Sequence, residues 1–347
     1  MLRVIILSLL AAIGSAAALP YLISNPTLNG RIPKQPFSDS FFGEFGGTEL
    51  HWRARTPERA RALVILLHGF GGSGFSWRHS LDALEREGYR VIAPDLPPFG
   101  YSARIARGPD WADLVIALAE TKGADLPWIL VGHSMGVSVA AELTNRRSDR
   151  VAGLIMVGGT PRLQHSGSGW SWLFGLAPVG RWAEVWAARN LVDETSISEM
   201  LGSALGRPPT PEEFDGYYRP LIIPGTYPAL LSRMSGQGEV ADDWMSTPHA
   251  LIWGERDTWV PIERAKALIA RLPEPVNVQI LEQSAHNPMD THPDLFNRRL
   301  LEQVQRFILL NERRAESPGP VIGKKITVNR IRAQWALVHD ALAWTIR

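Results

Sequence analysis

The sequence predicts an α/β protein: a mostly parallel sheet flanked by helices, with one helical insertion. Three observations carry this. Short apolar runs at residues 62–67, 89–93, 128–131, 151–157, 250–253 and 276–281 alternate with segments of helical spacing. That is the pattern of strands covered on both faces. The alternation lapses between 161 and 246, a stretch helical in flavour and rich in Trp, Leu, Pro and Gly, and then resumes. An insertion between two strands of one sheet accounts for both facts. With 347 residues, 45% of them hydrophobic and 20% charged, the chain can bury a sizeable core.

In chain order, residues 1–26 come first. Residues 4–23 carry no charge, follow Arg3 and end beside Ala16-Ala17-Ala18, an A-x-A pattern. They read as a secretory signal cleaved after Ala18, as an uncleaved membrane anchor, or as a buried helix of a cytoplasmic protein. The first two place the remainder outside the cytoplasm, released or tethered. Residues 27–41 are a polar linker, and 42–54 read as a hairpin of exposed strands. The first part of the α/β core runs over 42–160, with helices at 77–88 and 111–122 and another after residue 134. The helical insertion, expected to form a lid, spans 161–246. The second part of the core spans 247–311, with helices at 262–272 and 293–310. Residues 312–347 complete the chain. There Pro318-Gly-Pro320 is a linker, and 324–347 form a basic amphipathic helix with Val328, Ile331, Trp335, Val338 and Leu342 on one face. That helix docks on the protein's own surface or lies on an anionic membrane.

Net charge is +1, which gives no reason to expect a nucleic-acid partner. The absence of cysteine excludes disulfides, thiolate metal sites and a lipid-modified N-terminal cysteine. No zinc spacing or dinucleotide fingerprint occurs. Residues 69–74 are glycine-rich but lack the lysine of a phosphate loop, so no cofactor or metal is expected.

The chemistry is signalled by Gly132-His133-Ser134-Met135-Gly136, set between an apolar run and a helical stretch. A G-x-S-x-G in that context is a strand-to-helix turn that pushes the serine hydroxyl out of the backbone at a helix N-terminus. Asp257 and His286 each follow a later apolar run. All three therefore stand at the carboxyl ends of strands, where open α/β sheets collect their ligands. A serine needs a histidine to take its proton and a carboxylate to orient that histidine. Rival acids are Asp290, Asp242 and Asp243, less well placed relative to a strand end; Gly159-Thr160 offers none. Asp95, His68 and His133 read as residues that hold loops.

These motifs resemble those of the α/β-hydrolase superfamily, in its lidded group of esterases, lipases and carbon–carbon bond hydrolases. The resemblance covers about residues 42–310, through H-G-F-G-G, D-L-P-P-F-G-Y-S, G-H-S-M-G, G-E-R-D-T-W-V-P and the His286 loop. Pro98 departs from it, standing where glycine is usual. The resemblance implies a catalytic set of Ser134, Asp257 and His286, with an oxyanion hole from the backbone amides of Phe70 and Met135. Serine at position 134 argues against dehalogenase and epoxide hydrolase chemistry, where that fold uses aspartate. The expected reaction is hydrolysis of a carboxylic ester or similar acyl bond through an acyl-enzyme. Alternatives are carbon–carbon hydrolysis of a ring-cleavage-type diketone and a non-catalytic ligand-binding role.

In the insertion, Trp170, Trp172, Phe174, Leu176, Trp182, Trp186, Phe214, Tyr217, Tyr218 and Leu221 either pack onto the sheet or line a pocket for a small apolar or aromatic acyl group. Six Arg and no Lys against ten Asp and Glu over 161–246 disfavour a strongly anionic substrate.

Overall fold

The computed structural model describes residues 2–23, 28–105, 108–161, 176–190, 192–234, 240–272 and 276–316. Met1–Leu309 forms one compact unit and Leu310–Arg347 a second, described only as the end of the last helix. The sequence expectations for Trp170, Trp172, Phe174, Pro318, Pro320 and the basic helix at 324–347 fall outside the described residues.

Eight strands form one sheet in the order β1-β2-β4-β3-β5-β6-β7-β8. They are β1 (Ser40–Phe45), β2 (Thr48–Arg55), β3 (Leu63–Leu67), β4 (Arg90–Pro94), β5 (Trp128–His133), β6 (Val151–Val157), β7 (His249–Gly254) and β8 (Asn277–Leu281). From β4 to β8 every neighbouring pair is parallel; β1 and β2 form an antiparallel hairpin joined antiparallel to β4. Strands β3, β5, β6 and β7 are buried at every position, which is why they read as unbroken apolar runs. The hairpin departs from its expected exposure. β2 lies between β1 and β4, so Leu50, His51, Trp52 and Arg53 are all buried.

The sheet helices are α2 (Arg78–Arg86), α3 (Trp111–Gly123), α4 (Met135–Arg146), α9 (Ile262–Ile269), the short α10 (Pro288–Thr291) and α11 (Pro293–Glu316). α9 stops before the expected residue 272, and α11 continues past residue 310. Between β6 and β7 the described residues form four helices: α5 (Ala177–Asn190), α6 (Glu194–Leu205), α7 (Pro211–Leu221) and α8 (Thr226–Met234). α6 starts at Asp193, whose side chain accepts from the Ser196 amide, and ends at Gly206 with a left-handed φ of 69°. α7 starts with a reciprocal cap: Glu213 accepts from the Thr210 amide at 2.8 Å, and Thr210 accepts from the Glu213 amide at 3.3 Å.

Burial alone would raise the Glu213 carboxyl. Two hydrogen bonds from Arg207, each 2.8 Å, and the Thr210 amide outweigh it and hold the group at about 2. The folded value lies below the unfolded one of 4.5, so the stabilisation is present above pH 4.5 and drains away as pH falls toward 2. Glu213→Gln should therefore lower the melting temperature at pH 7 by several degrees, with a much smaller deficit near pH 2 by calorimetry. An equal deficit at both pH values would show that the carboxylate charge contributes nothing.

Asp95, at the end of β4, ties distant segments together. Its Oδ2 accepts from the Tyr101 amide at 2.7 Å and is paired with His51 Nδ1 at 2.7 Å. Its Oδ1 accepts from the Gly74 amide at 2.6 Å. Burial works to raise this carboxyl, but His51 and these donors hold it below the ordinary value. In the same loop the Pro97-Pro98 peptide is cis.

At the N-terminus, α1 (Leu2–Leu22) runs unbroken through Ala16–Ala18 and packs on α5. Trp182 Nε1 donates to the Ala16 carbonyl at 2.9 Å, and Arg181 donates to the carbonyls of Pro20 and Ile23 at 3.2 and 2.9 Å. Among the described residues no helix is long and apolar enough to cross a membrane. The side chains at 2–7, 9–11 and 13 of α1 are not among those described. The expected linker at 27–41 is partly anchored: Leu28 is buried with Ala187, Ala188 and Val192, and the Gly30 amide donates to Ile222.

Candidate active site

The turn from β5 into α4 requires a backbone that few residues adopt. Ser134 has φ 50° and ψ −115°, a strained region costing about 1–3 kcal/mol for a residue other than glycine. Its amide donates to the Val157 carbonyl at 2.9 Å, which ties the turn to β6. The flanking glycines are needed for close approach. A Cβ on Gly132 would sit 2.6 Å from the Gly136 oxygen, and one on Gly136 would run into the Leu67 carbonyl. Ser134 occupies the position before α4, but its side chain makes no capping hydrogen bond. Helix capping therefore does not explain the serine.

Asp257 and His286 meet behind this turn. His286 Nδ1 lies 2.8 Å from Asp257 Oδ2, with both side chains buried. The other carboxylate oxygen accepts from the amides of Trp259 and Val260 at 2.9 and 2.8 Å. A carboxylate that already accepts two amide bonds fixes the shared proton on the imidazole Nδ1, leaving Nε2 able to accept. Asp257 does not cap α9, whose preceding residue is Pro261. Of the rival acids, Asp290 pairs with Arg78 and Asp242 with Arg271.

Two further histidines frame the site. His68 accepts from the Leu96 amide at 2.9 Å and donates through Nδ1 to the Gly69 carbonyl at 2.7 Å. Burial lowers its pKa, so the neutral ring holds the loop 69–72 in place. His133 Nε2 donates to the His286 carbonyl at 2.9 Å. Burial and the neighbouring His286 push the His133 pKa well below the ordinary value. The sequence placed His133 beside the turn; its bond to the His286 backbone is a new finding. Trp259, which no sequence motif singles out, stacks its ring on His286 with centroids 5.3 Å apart and planes 21° off parallel. An indole two residues after an acid carries no sequence signal for such stacking.

Ser134, His286, Phe70 and Met135 all line one cavity of about 540 Å³. Met135 opens α4, so its amide has no partner within the helix. The inserted helices supply the other wall, through Ile197, Met200, Leu201, Ala204, Tyr217 and Leu221. Trp182 and Trp186 are on the exterior, and Phe214 stacks on Tyr218 at 4.9 Å. Of the described candidates from the insertion, Tyr217 and Leu221 line the cavity, beside Ile197, Met200, Leu201 and Ala204 of α6. Among the described residues, no Asp, Glu, Lys or Arg lines the cavity, and no group of three metal-ligating side chains occurs.

Comparison with known proteins follows the same lines. The alpha/beta hydrolase family matches residues 64–299, more than half of the chain. The chain is 27% identical over 275 residues to the pimeloyl-[acyl-carrier protein] methyl ester esterase of Aliivibrio salmonicida, covering 75% of this chain and 96% of that one. It is 36% identical over 115 residues to epoxide hydrolase B of Mycobacterium tuberculosis, 31% of this chain and 32% of that protein. Its fold is similar to that of a bacterial membrane phospholipase A, with a TM-score of 0.60 at 19% identity over 88% of this chain and 98% of that one. With the eight-stranded sheet and the match along most of its core, the chain belongs to the alpha/beta hydrolase family.

Proposed function

We propose that the protein is a serine hydrolase that cleaves a carboxylic ester or similar acyl bond through an acyl-enzyme intermediate. The observation that carries this reading is the buried His286–Asp257 hydrogen bond of 2.8 Å at the cavity that His286 shares with Ser134. Ser134 Oγ attacks the acyl carbon while His286 Nε2 takes its proton. The Phe70 and Met135 amides hold the oxyanion, and the proton passes to the departing alcohol. Water, deprotonated by the same histidine, then releases the acid and restores Ser134. The esterase relative supports ester cleavage. Against the epoxide hydrolase likeness stands serine at position 134, in place of an attacking aspartate. The uncharged cavity wall fits a neutral apolar or aromatic acyl group, and α5–α8 serve as the lid.

A fluorophosphonate probe tests this. Mass spectrometry of the labelled protein should find the adduct on Ser134, and labelling elsewhere or none would remove the reading.

We further propose that the catalytic unit lies outside the cytoplasm, tethered by α1, on the ground that residues 4–23 carry no charge and follow Arg3. The contacts of Trp182 and Arg181 with residues 16–23 support a retained α1, since cleavage after Ala18 would sever the Trp182 bond to Ala16. The structural neighbour described as a membrane phospholipase fits a tethered form. Mass spectrometry of the mature N-terminus in the membrane fraction should find residues 1–18 intact. A start at Leu19 would mean release, and full-length protein found only in the soluble cytoplasmic fraction would remove both versions.

A further inference from the structure

His286 stands at the edge of the sheet. Its loop follows β8, the last strand of the sheet, which among the described residues has no neighbouring strand on its outer side and is exposed along much of its length. Among the described residues no ninth strand flanks this loop; His133 and Asp257 hold it from the sheet side, and the inserted helices hold it from the other. The amides of His286 and Asn287 both donate to one carbonyl, that of Ala204 in the last turn of α6, at 2.9 and 3.3 Å. The fit there is close, since a Cβ added to Gly206 would lie 2.9 Å from the Ala285 Cβ.

A second connection comes from α7. Tyr217, buried, donates its hydroxyl to Asp290 Oδ2 at 2.6 Å, with Ser76 Oγ 3.0 Å away. Asn287 Nδ2 donates to the same Asp290 oxygen at 3.2 Å. Arg78 pairs with the other Asp290 oxygen and lies 3.7 Å from Glu213, also on α7. Burial and the Asp290 carboxylate push the Tyr217 phenol well above its ordinary range, so it stays a donor. A third connection runs through the indole stacked on His286: Trp259 Nε1 donates to Ser203 Oγ on α6 at 3.1 Å.

We propose that the inserted helices position the acid–base histidine, with Tyr217 and Ser203 as positioning residues that act through Asp290, Asn287 and Trp259. The inference rests on His286 being the proton shuttle of the proposed hydrolase. The covering helices are then part of the catalytic apparatus as well as a wall of the acyl cavity. Moving α6 away from the sheet withdraws the acceptor of the His286 amide, and moving α7 withdraws the Tyr217 hydroxyl from Asp290, at the same time as either opens the cavity.

Tyr217→Phe keeps the ring and removes only the hydroxyl. With p-nitrophenyl acetate, whose acyl group is too small to need the far wall, kcat should fall about tenfold while KM stays within about twofold. Fluorophosphonate labelling of Ser134 should slow by the same factor. A downfield proton resonance from the His286–Asp257 hydrogen bond is expected in the wild type, and it should broaden in the variant. Ser203→Ala, at an exposed position that does not threaten folding, should slow kcat and labelling in the same direction by a smaller factor. Two results overturn the proposal: a rise in KM alone, which makes Tyr217 only a cavity wall, or a lower melting temperature with kcat, labelling and the resonance unchanged. If Tyr217→Phe does not fold, an unaffected Ser203→Ala overturns it. Failure of the wild type to be labelled at Ser134 instead removes the hydrolase reading, and the wild-type arm reports this separately.

Discussion

Ser134→Ala should reduce kcat on an activated ester by on the order of 10⁴–10⁶-fold. The protein should otherwise be intact, because the Ser134 side chain makes no capping bond and the turn is held by its backbone amide on Val157 and by the two flanking glycines. The melting temperature is therefore expected to change little. Steady-state kinetics with p-nitrophenyl acetate and calorimetry on the same sample check both halves. A variant that keeps more than a few per cent of wild-type turnover has another nucleophile.

Asp257→Asn should cost about 10⁴-fold in kcat with little change in KM. The reasoning is one of donors and acceptors. An asparagine oxygen can still accept from the Trp259 and Val260 amides, so the loop keeps its shape. Its nitrogen then faces His286 Nδ1, where the carboxylate oxygen now lies 2.8 Å away. Two donors cannot share that contact, so the imidazole turns to the tautomer whose Nε2 carries the proton. That ring is unable to accept from Ser134. A near-silent Asp257→Asn, with activity abolished instead by Asp290→Asn or Asp243→Asn, would reassign the acid.

Much of this was legible in the chain because the signals were local. Short apolar runs such as Leu63–Leu67, alternating with segments of helical spacing, read as doubly covered strands. A serine between Gly132 and Gly136, at the junction of a strand and a helix, announces its own backbone. The capping pair Thr210 and Glu213 likewise stands three residues apart in plain view. What escaped is what depends on long-range neighbours. The burial of β2 follows from its place between β1 and β4 and not from its alternating sequence. Ala204 contributes a backbone carbonyl, which no side chain advertises. Tyr217 reads as one more aromatic of the insertion until Asp290, 73 positions away, is seen beneath it. Leu28 sits in a stretch whose composition says linker, yet its apolar side chain found a pocket among Ala187, Ala188 and Val192.

The network at Asp95 bears on how the protein assembles. The carboxylate joins residues 51, 74 and 101, and His51 passes the connection on to Ser40 in the outermost strand through a 2.7 Å bond. Remove the hairpin and a charged group buried at the end of β4 loses its histidine, in surroundings where water cannot replace it. A partly assembled chain lacking β1 and β2 is therefore penalised well beyond the loss of two edge strands. An edge hairpin would ordinarily fray first and independently. Here its fraying is coupled to the centre of the sheet, and the first strands made become part of the same cooperative unit as β3 and β4, which come after them in the chain.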